Sequence, residues 1–553
     1  MIKQTIKLLA LATLLLALPA VVQAQLTFTT NNGAITITGY SGNVITLTIP
    51  GITNGYPVTS IAPSAFWQKR NLTSAVIPDS VTNIGDSAFD SCYNMTSLTL
   101  GNGVVTIGNM EFYRCSALNS LTLPASVTSI GSNAFYYCYR LPSVTLSANV
   151  TNIGYEAFTL CTNLTAFVVD ASNPAYSSAA GVLFDQSQHT LIQYPDNKAG
   201  SDYPVPAGVT CIGDYAFWNA VGLTNVTIPD SVTNLGAGAF YNCSGLISVG
   251  FGSQVASIGA GAFSGCYRLT SVALPASLII LGDYAFSSCS ALTNVTLTNG
   301  LSSIGSYAFA YSGALTSLAI PNSVTNFGDG AFSDCATLTN VTLPSGLTSI
   351  GTSLFEDCYA LPSITIPSGV TTIGTNAFSK CSSLVSVTLP DHVTSLAPNS
   401  FYACNLLVNF TADSALTNIG DQAFIYCYNL TNIFFKGNAP VLGGAAVFQS
   451  DLWATVYYLP GTTNWGATLG SRPTVLWNPQ AQTGGTDFGV RTNRFGFNIT
   501  AVTGTNALPF VVEACTNLAN PSWLPLRTNT GSLYFSDPQW TNYPGRFYRL
   551  RSP

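Results

Sequence analysis

Hydrophobic and polar positions recur along this chain with a period of 23 residues. Phe marks the phase at Phe66, Phe89, Phe112, Phe135 and Phe158, and again from Phe217 through Phe424, fifteen positions in all. Three residues after most of them stands Cys and six after stands Leu. Nine and eleven after stand Val, Ile or Leu, often closed by Pro. In Leu141-Pro142-Ser143-Val144-Thr145-Leu146 apolar places alternate with polar ones, the period of a half-buried strand. In Val226 to Gly236, Pro229 and the Asp230-Ser231 pair turn the chain, and Val232 and Leu235 make a second short inward segment. Gly236 and its equivalents Gly85, Gly131, Gly259 and Gly374 stand at a corner where positive φ is expected. The Ala-Phe pair that follows turns inward, Ala allowing close approach and Phe supplying the filling. A single coil cannot bury such a face, so a period of this length predicts a mainly β, leucine-rich-repeat solenoid of about 15 regular coils with one continuous core.

The pattern also marks where regularity ends. Residues 25–60 read as an N-terminal cap built on a hairpin around Asn31-Asn32-Gly33, which covers the open end of the stack. The solenoid occupies 61–436, with an irregular insertion at about 170–206 where the Phe phase breaks between Phe158 and Phe217. Val182-Leu183-Phe184 and Thr190-Leu191-Ile192 are apolar enough to continue the stack there, although long insertions in solenoids also carry ligand loops. After Phe424 the phase slips by one to Phe448, and 437–479 form a C-terminal cap. Trp453, Trp465 and Trp477 either cover its last coil or, if exposed, stack on sugar rings. Residues 480–487 are polar and Gly-containing, as a linker is. Residues 488–553 lack the repeat and read as five strands of a small β-sandwich-like module.

The start of the chain indicates export. Lys3 and Lys7 precede an apolar run from Leu8 to Ala20, and Val22-Gln23-Ala24 place small residues for cleavage between Ala24 and Gln25. Residues 1–24 therefore read as a signal peptide, shorter in its apolar run than the roughly 20 residues of a membrane anchor. The expected mature chain carries no transmembrane segment and is secreted or held at the cell surface.

Charge and reactive residues narrow the function. Removing Lys3 and Lys7 takes the formal charge from −6 to −8. Six Arg against three acids make the stretch after Trp477 +3 and leave the remaining mature chain at −11. Nucleic acid is excluded as a partner, because its binding depends on Lys and Arg that neutralise phosphate. The cysteines repeat every 23 residues, and stacked side chains about 4.8 Å apart and parallel do not suit a disulfide. A ladder of buried free thiols that act as small apolar fillers is expected. No CxxC pairs exist and the only histidines are His189 and His392, so no metal is expected. Nucleophile, phosphate-loop and zinc-protease motifs are missing, so no catalytic residues and no cofactor are expected. Glu356-Asp357 is an adjacent acid pair at a variable corner and reads as surface.

The repeat Leu-x-x-Val-x-Leu-Pro-x-x-Val-x-x-Ile-Gly-x-x-Ala-Phe-x-x-Cys, seen in variant form in residues 95–115, resembles the BspA-like leucine-rich repeats of bacterial and protozoan surface proteins. The insertion, with Asn173-Pro174, Tyr176, Gly181-Val182-Leu183 and Tyr194-Pro195, is similar to an irregular unit of that family. The resemblance runs from about Val58 to Gly437 and implies a right-handed solenoid, export and, in some members, adhesion. It supplies no fixed binding residues.

The resulting expectation is a non-catalytic binding or adhesion solenoid for an extracellular protein or polysaccharide. The alternatives are a structural surface or matrix component without a discrete ligand and, last, a carbohydrate-active enzyme. Two columns are candidate ligand contacts. One is the outward strand column Thr99, Thr122, Thr145, Thr227, Thr296, Thr342, Thr365 and Thr388, although Thr also favours exposed strand positions for its own sake. The other is the corner after the Cys, at Tyr93, Tyr139, Tyr267, Tyr359 and Tyr428.

Overall fold

Each coil has three sides, and each side stacks on the next coil by backbone hydrogen bonds. The computed structural model describes residues 25–43, 45–477, 480–482, 489–491, 494–500, 510–516, 521–529, 534–542 and 546–551. The expected signal peptide lies outside the described residues, as do residues 483–487 of the expected linker.

The first side is a strand of three or four residues. In Ser143–Leu146, Val144 and Leu146 are buried while Ser143 and Thr145 face out, the alternation that the sequence predicts. It pairs in parallel with Ala166–Val169 in the next coil, Val144 opposite Phe167. The second side is a two-residue strand such as Asn152–Ile153, paired in parallel with Ser129–Ile130 one coil earlier. The third side is a pair of tight turns around Phe. Here the amides of Ser64, Phe66 and Gln68 donate to the carbonyls of Asp86, Ala88 and Asp90, at 3.1, 2.7 and 2.9 Å. The backbone enters the left-handed region two residues before and two after each Phe, as at Ser64 (φ 58°), Gln68 (55°), Tyr284 (56°) and Ser288 (59°).

This geometry corrects the expectation for the corner glycines. Gly85, Gly131, Gly236, Gly259 and Gly374 do not have positive φ; the left-handed positions flank Phe instead and are mostly not glycine. Glycine is favoured at these corners because successive coils touch there, although Ala62 and Ala397 take the same place in two other coils and Gly351 has open space beside it. A Cβ on Gly259 would lie 2.6 Å from the carbonyl carbon of Gly236, and one on Gly131 2.6 Å from the amide nitrogen of Asn109.

Inside, the Phe rings stack with centroids from 4.5 Å apart (Phe217–Phe240) to 5.8 Å (Phe309–Phe332). The one-residue slip is absorbed without loss of stacking, since Phe448 lies 5.4 Å from Phe424. The described cysteines are free, and those of the ladder are buried. Each ladder thiol also donates to the carbonyl of the Phe one coil back, as Cys266 does to Phe240 at 3.3 Å. Ser312 takes the same place and donates to Phe286 at 3.1 Å, so the position selects a small donor rather than a mere filler.

The irregular unit is a septum. Tyr176–Ala179 and Val182–Asp185 form a hairpin, and Thr190–Gln193 pairs antiparallel with its second strand before parallel stacking resumes at Cys211–Ile212. Leu183 packs into a core that runs back to Leu26, whereas Val182 and Phe184 pack into a core that runs on to Val456. The period of two along one strand thus divides the hydrophobic interior. Tyr194 restarts the ring stack, 4.9 Å from Phe217. The Phe158 carbonyl, which has no Cys to serve it, accepts from Gln193 Nε2 at 3.2 Å.

At the start, Leu26–Asn31 and Ala34–Tyr40 form a hairpin through Asn32 and Gly33, both at positive φ. Beyond Trp477 the described strands make two small antiparallel sheets. Gln480–Gln482, at the start of the expected linker, pairs with Arg494–Thr500. Phe510–Cys515 lies between Leu524–Asn529 and Phe547–Arg551. Trp477, Phe497, Ile499, Val512 and Phe535 form their core, against which Tyr457 and Leu459 of the last coil pack. Trp465 stacks on Tyr458 at 4.8 Å, whereas Trp453 is exposed.

Candidate binding surfaces

The threonine column lies where strand alternation puts it, on the outward face of the first side. Thr99, Thr227, Thr296, Thr342 and Thr388 end three-residue strands, and Thr145 lies within a four-residue one. Thr122 makes an isolated bridge to Thr99, and Thr365 lies in a coil without strand geometry. All eight are exposed. The column is mixed rather than uniform: Val168 stands opposite Thr145, Gly250 opposite Thr227 and Ala319 opposite Thr342. Toward the C-terminal end it turns aromatic through Phe434 and Tyr457, whose rings stack at 5.3 Å. Beside it runs a Ser and Asn column from the first strand position, partly tied coil to coil, as by Asn225 Nδ2 to Asp202 at 2.6 Å.

The tyrosines differ in exposure and in their partners. Tyr93 is half-buried, with the Arg70 guanidinium 5.5 Å from its ring, and a Ser91 hydrogen bond chiefly holds its phenol below the usual range. It borders an open groove of about 770 Å³ that also touches Asn94, Thr96 and Arg140. Tyr139, Tyr267, Tyr359 and Tyr428 are exposed. The Tyr359 hydroxyl donates to Asp357 at 2.8 Å, and Lys380 reaches the same carboxylate at 3.0 Å. The Glu356-Asp357 pair thus has one member tied into a local ion pair.

A third surface escaped the sequence reading. On the turn side, on both flanks of the septum, aromatics meet across the break. Tyr113 stacks on Tyr136 at 5.5 Å, and Tyr136 meets Trp218 at 6.0 Å. Trp218 touches Tyr215 and Tyr241 at 4.8 and 5.5 Å. Arg114 lies over Tyr113 and Tyr137, 5.2 and 5.3 Å from their ring centres. The available signal was an aromatic directly after the ladder Phe at Tyr113, Tyr136, Trp218 and Tyr241, which brackets the insertion.

Among the described residues no group of His, Cys, Asp and Glu is arranged to hold a metal ion, and no helix is long and apolar enough to cross a membrane. Stacked parallel coils, a buried Leu, Phe and Cys ladder and a broad polar outer face define a leucine-rich-repeat-like solenoid of the kind suited to protein-binding surfaces. The sequence pattern of the BspA type leucine-rich repeat region matches residues 59–180, 210–339 and 329–452, and the chain belongs to that family. Solved structures similar to it include a leucine-rich repeat protein from Eubacterium ventriosum, 22% identical over 65% of this chain and 93% of that one, with a TM-score of 0.48. A leucine-rich repeat protein from Bacteroides ovatus is 24% identical over 78% of this chain and 98% of that one, with a TM-score of 0.43. A leucine-rich cell surface protein from Faecalibacterium prausnitzii is 22% identical over 75% and 94%, with a TM-score of 0.32. A search of curated proteins finds no match to this chain.

Proposed function

We propose that this chain is an exported, non-catalytic recognition solenoid of right-handed coils that binds an extracellular protein or polysaccharide at the cell surface. In this reading Ala24–Gln25 is the cleavage site, and residues 488–553 form a sandwich-like terminal module. The observation that carries the proposal is the outward face of the strand side: exposed Thr and Ser/Asn columns on a rigid buried ladder. Side chains held by a stacked backbone lose little freedom on binding, which favours affinity for an extended partner.

The test is binding of the purified secreted chain to arrays of glycans and matrix proteins in physiological salt. Saturable binding, weakened about tenfold when Thr342, Thr365 and Thr388 are replaced by Arg, supports the reading. No saturable binding to any partner contradicts it and marks the chain as a structural component.

A further inference from the structure

Where the septum interrupts the stack, the turn side opens into a cleft of about 200 Å³. Tyr155 and Glu156 come from the coil before the break, Asp214 and Tyr215 from the coil after it, and Tyr176 and Gln193 from the septum itself. The Tyr155 and Tyr215 rings meet edge to face at 5.6 Å, and burial, reinforced by Tyr215 and Glu156, pushes the Tyr155 phenol well above its usual range. Two polar atoms of the septum are already engaged. Gln193 Nε2 donates to the Phe158 carbonyl at 3.2 Å, and the Tyr176 oxygen accepts from the Ile153 amide at 2.9 Å. Asp214 accepts the Ala237 amide on Oδ1 at 2.7 Å. Two carboxylates and three tyrosines therefore line the opening, and no Lys or Arg does. Burial raises the Glu156 carboxyl above the usual range, and Tyr155 only partly offsets this.

A cation supplies what this arrangement lacks. It would compensate the half-buried Glu156 and lie against ring faces that carry negative quadrupole charge. The same surface already shows the geometry once, in the Arg114 guanidinium over Tyr113 and Tyr137. The cleft has room for one side-chain head, below the usual volume of sites for larger ligands. The acidic balance of the chain, with a formal charge of −6, steers a basic partner toward it.

We propose that this cleft takes an arginine or lysine side chain from a basic segment of an extracellular polypeptide, with the neighbouring half-buried Trp218 receiving a flanking residue. The assignment rests on the recognition function proposed above and names the chemistry of one partner.

The experiment measures fluorescence anisotropy of labelled octa-arginine, and of its uncharged citrulline counterpart, against the full secreted chain. Glu156→Gln and Asp214→Asn remove the charges with little change in shape. Asn in the Asp214 place keeps the structural bond, since Asn109 in the same register accepts the Ser132 amide at 2.8 Å. Asp283→Asn removes a charge from that register position away from the cleft, where Asp283 accepts the Ser306 amide. The expected result is saturable binding of octa-arginine but not of the citrulline peptide, weakened about tenfold by Glu156→Gln and by Asp214→Asn but not by Asp283→Asn. Equal losses in all three variants, or none in Glu156→Gln, would overturn the inference, as would binding of neutral glycans in the cleft unchanged by Glu156→Gln. Cleft-dependent peptide binding without any array binding would contradict recognition by the threonine face and leave the cleft assignment standing.

Discussion

The regular coils and the irregular unit solve one packing problem in opposite ways. In the regular coils each residue type faces its own copy one coil away, so Phe stacks on Phe and every ladder Cys serves the preceding Phe carbonyl. In the irregular unit nothing repeats, and one strand faces two cores, Leu183 on one side and Val182 with Phe184 on the other. The regular coils present long, nearly uniform columns. The irregular unit brings unlike residues together, and so it makes the concave, chemically mixed site. Repetition provides extent, and its interruption provides a particular place.

The largest effect comes from breaking the ring stack. Phe286→Ala leaves a cavity between stacked neighbours 5.0 and 5.5 Å away and is expected to cost about 3–5 kcal/mol in chemical denaturation. Gly259→Ala tests the close approach of corners and is expected to cost about 1–3 kcal/mol by overpacking. Gly222→Ala, with no atom within 4 Å of its added Cβ, is expected to be nearly neutral.

Glu111 sharpens the comparison, because it breaks the ladder rule inside a regular coil. It occupies the place of Ala88 and Ala134 and is wholly buried, and neither carboxylate oxygen has a partner. Burial, with a smaller contribution from Asp86, holds its carboxyl well above the usual 4.5 of a glutamate. The folded chain therefore keeps a proton that the unfolded chain releases, and stability falls as pH rises above about 4.5. Asp451, in the Cys place of the last coil, acts in the same direction: burial lifts its carboxyl from 3.8 to about 8, so its cost grows between those values and then levels. Glu111→Ala restores the consensus residue and is expected to raise stability by about 1–3 kcal/mol at neutral pH while flattening the pH profile of melting. An unchanged profile would remove Glu111 from the account.

The smallest effect is at the thiols. Cys266→Ser copies Ser312 and is expected to change stability by less than about 1 kcal/mol. Burial pushes the Cys92 and Cys335 thiols up to about 12, so ladder thiols should resist alkylation in the folded chain and react on unfolding, as thiol titration would show.

Much of this fold was legible in the sequence because burial itself is periodic. Phe, Leu, Val and Cys at fixed spacing specify strands, corners and core without reference to anything distant. The left-handed backbone beside Phe was not legible, since residues as different as Gln68, Tyr284 and Lys380 adopt it. Hydrogen bonds between coils, not side-chain preference, set that conformation. The corner glycines were noticed but explained by the wrong cause, because only the stacked structure reveals the backbone that a Cβ would strike. The Thr and Tyr columns were located by period alone. The aromatic belt and the cleft were missed because Tyr155 and Tyr215, or Tyr136 and Trp218, belong to coils that no single repeat relates.

The claim that most needs testing is that the septum divides the solenoid into two packing units. Native-state hydrogen exchange on Leu183→Ala and Phe184→Ala measures it directly. The account predicts faster exchange mainly in 66–158 for Leu183→Ala and mainly in 217–448 for Phe184→Ala. The same exchange pattern across both halves in the two variants would contradict it.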